Sequence, residues 1–406
     1  MEPKTSPTAG AWSLRALGAV AFGHGASDFY GGMVPLLIFY LVVREQHLSP
    51  LHQGFAGFTW YFTSSIVQPA FGWYSDTRGR WWFLPAGVLC TVVSVGSIGF
   101  TRDYPTLLLL TVLGGLGSAV MHPEAGKYAA KVGSRRHGSA ISIFQVGGQV
   151  GYSLGPFVIA ALLERLGGRA SALAAAPGLL AVAVLFWAMP RVHARAAQGT
   201  GASEPAASRG DRQGNRVDVL LLVGSTSLRF LTTSAFITYL PNVLTSRGAT
   251  LGSTGQVVTA FLMVGNLGLF CGGILGDRLG HRLVGFTSMA LSVPALVGFF
   301  VLPQPYAMSS LLFASVLLAA QNAPGVALTQ ARMPRNLATA LGLMNGVAFG
   351  IGSAAVALLG RQVGRVGAAS TLAGVSLVPL LGAACFLLVG RLRPTAGPNP
   401  SEEAAA

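Results

Sequence analysis

Apolar residues fill this chain in long runs separated by short polar breaks. Twelve runs lie near 14–42, 53–74, 81–100, 105–130, 139–163, 170–189, 217–245, 254–275, 283–302, 307–330, 337–360 and 368–390. Each is close to or beyond the roughly 20 residues a helix needs to cross a bilayer. The pattern predicts an all-α membrane protein with about twelve transmembrane helices. Between residues 190 and 216 the chain turns polar, rich in Ala, Gly, Ser and Arg, with Pro205 inside. That stretch reads as a cytoplasmic linker between two six-helix bundles, 1–189 and 217–393, and residues 394–406 read as a disordered tail.

The two bundles repeat one another. Gly72 to Arg80 reads GWYSDTRGR, and Gly273 to Arg282 reads GILGDRLGHR, which places Asp76 and Asp277 201 positions apart. Each copy joins one apolar run to the next. Asp76, Arg78, Arg80, Asp277, Arg278 and Arg282 therefore sit at helix ends, where charges complement the helix dipole. Their recurrence suggests a gating role beside plain anchoring. Pro123 aligns with Pro324, Arg136 with Arg335, and Gly147 and Gly151 with Gly346 and Gly350. The fifth run carries Gly147, Gly151, Gly155 and Pro156, and spacing of four aligns the three glycines along one face, as tight packing or a hinge requires.

The repeat is informative where it fails. Asp28 aligns with Arg229, and Glu124 with Gly325. A charge inside a bilayer costs at least about 2.5–3.5 kcal/mol and faces a cavity or a partner. Asp28 has His24 one helical turn before it, on the same face. A carboxylate there can take and release a proton, with the imidazole as relay; a fixed structural pair is the alternative. Glu124 has Lys127 three positions on, which also fits a buried network at the inner gate. Arg229 stands among apolar and hydroxyl residues. Its planar fork suits an anionic substrate group, Asp28 across the bundle, or a snorkelling position. His122 and Glu124 lack the HExxH pattern, so no metal site is expected.

Composition agrees with the membrane reading. Of 406 residues, 52% are hydrophobic and 10% charged, against about 25% charged in soluble domains. The formal charge of +14 could suggest nucleic acid, but 19 of the 27 Lys and Arg fall on one side of the twelve-run topology. That bias predicts both termini in the cytoplasm. Cys90, Cys271 and Cys385 all lie in apolar runs, without a disulfide framework.

At these residues the chain resembles the major facilitator superfamily, through the two charged turns, the duplicated halves and the glycine-rich fifth run. It is more specifically similar to the fosmidomycin-resistance exporters. That resemblance lies in His24-x3-Asp28 with Pro35, Gln68-Pro69-x2-Gly72-x3-Asp76, His122-Pro123-Glu124 and Arg136-His137-Gly138. It continues through Ser142 to Gly148 and Ser153-Leu154-Gly155-Pro156. The chain departs from that family at Gln330-Ala331, where the family carries an acid. The resemblance implies proton-driven drug efflux, by antiport, across a bacterial inner membrane, with no cofactor and with a monomer as the working unit. An uptake symporter or uniporter for a small metabolite such as an organic acid fits the same fold. An enzyme is not expected, because no nucleophile, metal or phosphate-loop motif is present.

Overall fold

The computed structural model describes residues 14–133, 137–198, 216–333 and 337–391. These residues form helices throughout. In chain order they are α1 Leu14–Glu45, α2 Pro50–Ile66 continued by Gln68–Arg78, α3 Phe83–Ile98, α4 Tyr104–Gly133, α5 His137–Leu166 and α6 Ala170–Gln198. The second half comprises α7 Arg216–Ser246, α8 Leu251–Leu279, α9 His281–Val301, α10 Tyr306–Arg332, α11 Leu337–Gly342 continued through Leu343–Val366, and α12 Ala368–Leu388. Ten of these are long and apolar enough to span a bilayer. The other two are the broken α2 and the shorter α3.

Proline explains the break in α2. Pro69 lacks an N–H and restricts the residue before it. The helix interrupts at Val67, and the Gln68 side-chain amide donates to Ser64 O at 2.6 Å. Proline does not end α6, although Pro177 and Pro190 both lie inside it. The first residues of the segment read as linker are thus helical as far as Gln198. Val192 and Ala196 are buried against the first core, and Tyr128 meets His193 at 2.7 Å, so packing outweighs the hydrogen bond lost at Pro190. Residues 199–215 and the tail from 392 lie outside the described residues.

Each half has its own core. One cluster draws almost wholly on residues 16–196, including Tyr30, Met33 and Leu185. The other lies within residues 235–383, around Phe236, Tyr239 and Phe299. Large apolar side chains such as Leu180, Leu220, Phe313 and Leu358 are exposed on the outside of the bundle. On a soluble protein such a surface would be an interaction patch; on spanning helices it faces lipid.

The closest helix pair in the first half is α1 with α5, and glycine makes it possible. A Cβ at Gly147 would lie 2.7 Å from Ala21 O, and one at Gly151 or Gly155 would strike the α1 backbone at Gly25 or Phe29. With no side chain at these positions the two backbones touch. This contact sets His24 and Asp28 directly against α5.

Candidate functional site

Asp28 stands at the meeting of α1, α4 and α5. His24 Nε2 lies 3.1 Å from Asp28 Oδ2, one turn away on α1. His122 Nε2, from α4, lies 3.2 Å from Asp28 Oδ1. The two rings meet edge to face at 5.0 Å, and His24 stacks on Phe144 at 4.0 Å. Gly148 on α5 supplies the room: a Cβ there would sit 2.7 Å from Asp28 Oδ2. Both imidazoles are anchored from behind. His24 Nδ1 donates to Phe144 O at 2.8 Å, and His122 Nδ1 donates to Ser118 O at 2.8 Å.

His24, Asp28 and His122 are the set able to hold a metal ion, with donor atoms within 4.8 Å of one another. No fourth histidine, cysteine or carboxylate joins them among the described residues. The sequence reading paired Asp28 with His24 and left His122 aside. What it lacked was the position of α4 beside α1, which no local spacing encodes.

Glu124, two residues beyond His122, faces a different neighbourhood. It is 1% exposed and pairs with Lys127 Nζ at 3.1 Å. Ser75 Oγ donates to Glu124, while Lys127 donates to Ser75 Oγ at 2.6 Å and to Ser75 O at 2.9 Å. The group ties α4 to the end of α2, immediately beside the first charged turn. This is the buried network that the Glu124–Lys127 spacing allowed for.

In the charged turns, Arg78 and Arg80 are exposed, and the side chain of Asp76 lies outside the described residues. Arg136 and Arg335 also lie outside them. Asp277 is 78% exposed and meets His281 at 3.6 Å. Arg278 is exposed. Arg282 donates from Nε to Phe386 O at 2.9 Å and from Nη2 to Leu387 O, so a cation caps the end of α12. A neighbouring clamp was not foreseen: Arg332 Nε meets Asp218 Oδ2 at 2.7 Å, and Gly390 N donates to Asp218 Oδ1 at 2.8 Å. It joins the start of α7 to the ends of α10 and α12.

Arg229 lies in the second half, on α7. It is 7% exposed, and its Nε and Nη2 have no hydrogen-bond partner. Its guanidinium sits 5.9 Å from the centre of the Phe349 ring, which stacks on Phe230 at 4.1 Å. Phe230 in turn meets Tyr61 of the first half at 5.5 Å. Tyr61 shares a hydrogen bond with Tyr152 at 2.9 Å. Asp28, the carboxylate considered as its partner, is held by two histidines instead. A buried guanidinium with free donors is a costly arrangement unless an anion reaches it.

The chain matches the family model described as Major Facilitator Superfamily over residues 20–356 and again over 222–406. It is 28% identical over 402 residues to the fosmidomycin resistance protein of Escherichia coli K12, covering 94% of this chain and 96% of that one. It is 27% identical to the uncharacterized MFS-type transporter YfnC of Bacillus subtilis 168, covering 96% of both. Among solved structures it superposes on a peptide transporter, POT, with a TM-score of 0.75 at 15% identity, over 93% of this chain and 94% of that one. A bacterial homolog of the human lysosomal transporter Spinster, inward-facing and occupied, gives 0.74 at 14% identity, over 93% and 96%. At those identities the structures speak for the fold alone. Sequence, helix order and fold agree, and the chain belongs to the major facilitator superfamily of multi-pass membrane transporters.

Proposed function

We propose that this transporter is a proton-coupled antiporter of the bacterial inner membrane that exports small anionic or amphiphilic compounds. The observation that carries the reading is a division of labour between the halves. A carboxylate held by two imidazoles lies in the first, and an unpartnered buried guanidinium lies in the second. The first group can bind and release protons. The second can hold a carboxylate, phosphate or phosphonate. Efflux is supported by the relative named for fosmidomycin resistance, and an orientation with both termini in the cytoplasm by the Lys and Arg bias. In such a cycle the two halves rock about the site between them, the substrate-loaded protein turning one way and the protonated protein the other.

The test is reconstitution in liposomes with an imposed pH gradient, using fosmidomycin and a panel of anionic compounds with their neutral analogues. Wild type should drive uphill efflux. Asp28→Asn should lose it while keeping downhill exchange, because the amide imitates the protonated acid. Arg229→Lys should weaken anionic compounds by roughly ten- to hundredfold, the value of a charge-assisted hydrogen bond of about 1.5–3 kcal/mol, and neutral analogues much less. Full gradient-driven transport by Asp28→Asn removes the centre from coupling. Equal losses for both compound types remove Arg229 from anion binding. Wild-type transport in the direction of the proton flow makes the protein a symporter, and indifference to the gradient makes it a uniporter.

A further inference from the structure

We propose that His24, Asp28 and His122 form a binding site for a late first-row divalent metal ion, with zinc as its representative. Two imidazoles and a carboxylate are a zinc donor set that leaves a fourth position open to water. The ring orientations carry the argument. Phe144 O and Ser118 O are backbone carbonyls and only accept, so the Nδ1 atoms facing them at 2.8 Å hold hydrogen. Each ring therefore presents the lone pair of Nε2, and both Nε2 atoms face Asp28, at 3.1 and 3.2 Å. A backbone carbonyl behind each ring is the outer support that fixes metal-binding histidines. Three electron-pair donors thus converge from α1 and α4, and a divalent cation among them satisfies all three at once.

The spacing agrees. Tetrahedral zinc with bonds of about 2.0–2.1 Å sets its ligand atoms about 3.3–3.4 Å apart. Both ring-to-carboxylate distances are already close to that, and the three donor atoms lie within 4.8 Å of one another. Closing the shell needs only the two rings to draw together. Each ring meets a different oxygen of Asp28, as a carboxylate chelating through both oxygens would require. There is also a way in. His24 is buried, but the side chains of Asp28 and His122 are 19% and 24% exposed. Gly148 keeps α5 clear of His24 Nε2 and Asp28 Oδ2. The missing HExxH pattern, from which no metal was expected, does not bear on this site, because its third ligand comes from another helix. An ion held there ties α1 to α4 and occupies Asp28. Under the antiport reading zinc is then an inhibitor of transport; the binding itself does not depend on that reading.

The experiment titrates the untagged full-length protein, in nanodiscs and stripped with EDTA, with zinc chloride against a chromophoric chelator. A single zinc ion per chain is expected. His24→Gln and His122→Gln should each weaken it by at least about a hundredfold, the upper end of what losing an outer support costs. His281→Gln is the control, because His281 and Asp277 form a separate histidine–carboxylate pair. It should leave the affinity unchanged. Magnesium and calcium prefer oxygen ligands and should not compete. X-ray absorption of the wild-type zinc complex should show two imidazoles and a carboxylate at about 2.0–2.2 Å, whether or not the variants fold. Absence of binding, affinity that survives both glutamine changes, loss of the ion in His281→Gln, or a shell with fewer than two imidazoles overturns the proposal. So does equal competition by magnesium or calcium. Transport with zinc bound is read separately: undiminished antiport would remove Asp28 from coupling and leave the metal site standing.

Discussion

At Gly148 the absence of a side chain is what lets the His24–Asp28–His122 group form. A methyl group there would lie 2.5 Å from His24 Nε2 and 2.7 Å from Asp28 Oδ2, closer than real side-chain carbons approach. The centre would have to shift. Overpacking of this kind costs about 1–3 kcal/mol, so Gly148→Ala should slow transport roughly five- to hundredfold. Gly18→Ala, on α1 with nothing within 4 Å, is the matched control. Wild-type transport by Gly148→Ala at equal insertion would show that the centre tolerates displacement. At this scale the sequence exposed Asp28, His24 and Arg229, because a charge in an apolar run stands out and four-residue spacing defines a helix face. It did not expose His122 as their partner, since that pairing depends on how α4 crosses α1. Nor did it single out Gly148 from its neighbours, because a glycine that clears space for a side chain and one that clears space for a backbone look alike in a string of letters.

Among the elements, α4 connects two polar groups of the first half. His122 faces the centre, Glu124 faces Ser75 beside the charged turn, and Pro123 lies between them. Proline removes one helix hydrogen bond, which leaves the helix free to bend at that residue. A movement of His122 can therefore be felt at the Ser75–Glu124–Lys127 group through a single turn of backbone. Pro123→Ala restores the missing donor. It should raise the melting temperature and slow transport, with substrate affinity unchanged. Unaltered transport in a stiffened protein would mean that α4 moves as a rigid rod. The sequence predicted α4 and its proline, and its repeat paired Pro123 with Pro324. It was less informative at helix ends. Loss of hydropathy near residue 190 marks where α6 leaves the apolar layer, whereas the helix itself continues to Gln198 on the packing of Val192 and Ala196.

Across the whole molecule, the contacts that join the halves gather at the end away from the termini. Gln53 Nε2 donates to Thr238 O at 2.5 Å and to Asn242 Oδ1 at 3.1 Å, with the side chain fully buried. Tyr239 reaches Pro50 O at 3.4 Å, and Gly252 N donates to Glu164 Oε2 at 3.0 Å, a carboxylate at the start of α8. Gly255 and Gly360 let α8 and α11 close on α5 and α2, since a Cβ would lie 2.7 Å from Pro156 O and 2.6 Å from Pro50 O. The duplicated turn made two halves legible in the sequence, but nothing marked Gln53. An amide near the end of an apolar run has the composition of any residue at the water boundary, and its role emerges only when Thr238 and Asn242 arrive from the other half. Removing it should open that end. Two buried hydrogen bonds at about 0.5–1.5 kcal/mol each would shift the balance of closed and open forms by roughly five- to hundredfold in Gln53→Ala. Spin labels at Leu48 and Ser246, on a background without Cys90, Cys271 and Cys385, read the separation of the halves at that end. The variant should gain a longer-distance population that wild type lacks. An unchanged distance distribution would assign the closure to helix packing at Gly255 and Gly360, with Gln53 satisfying its own burial and nothing more.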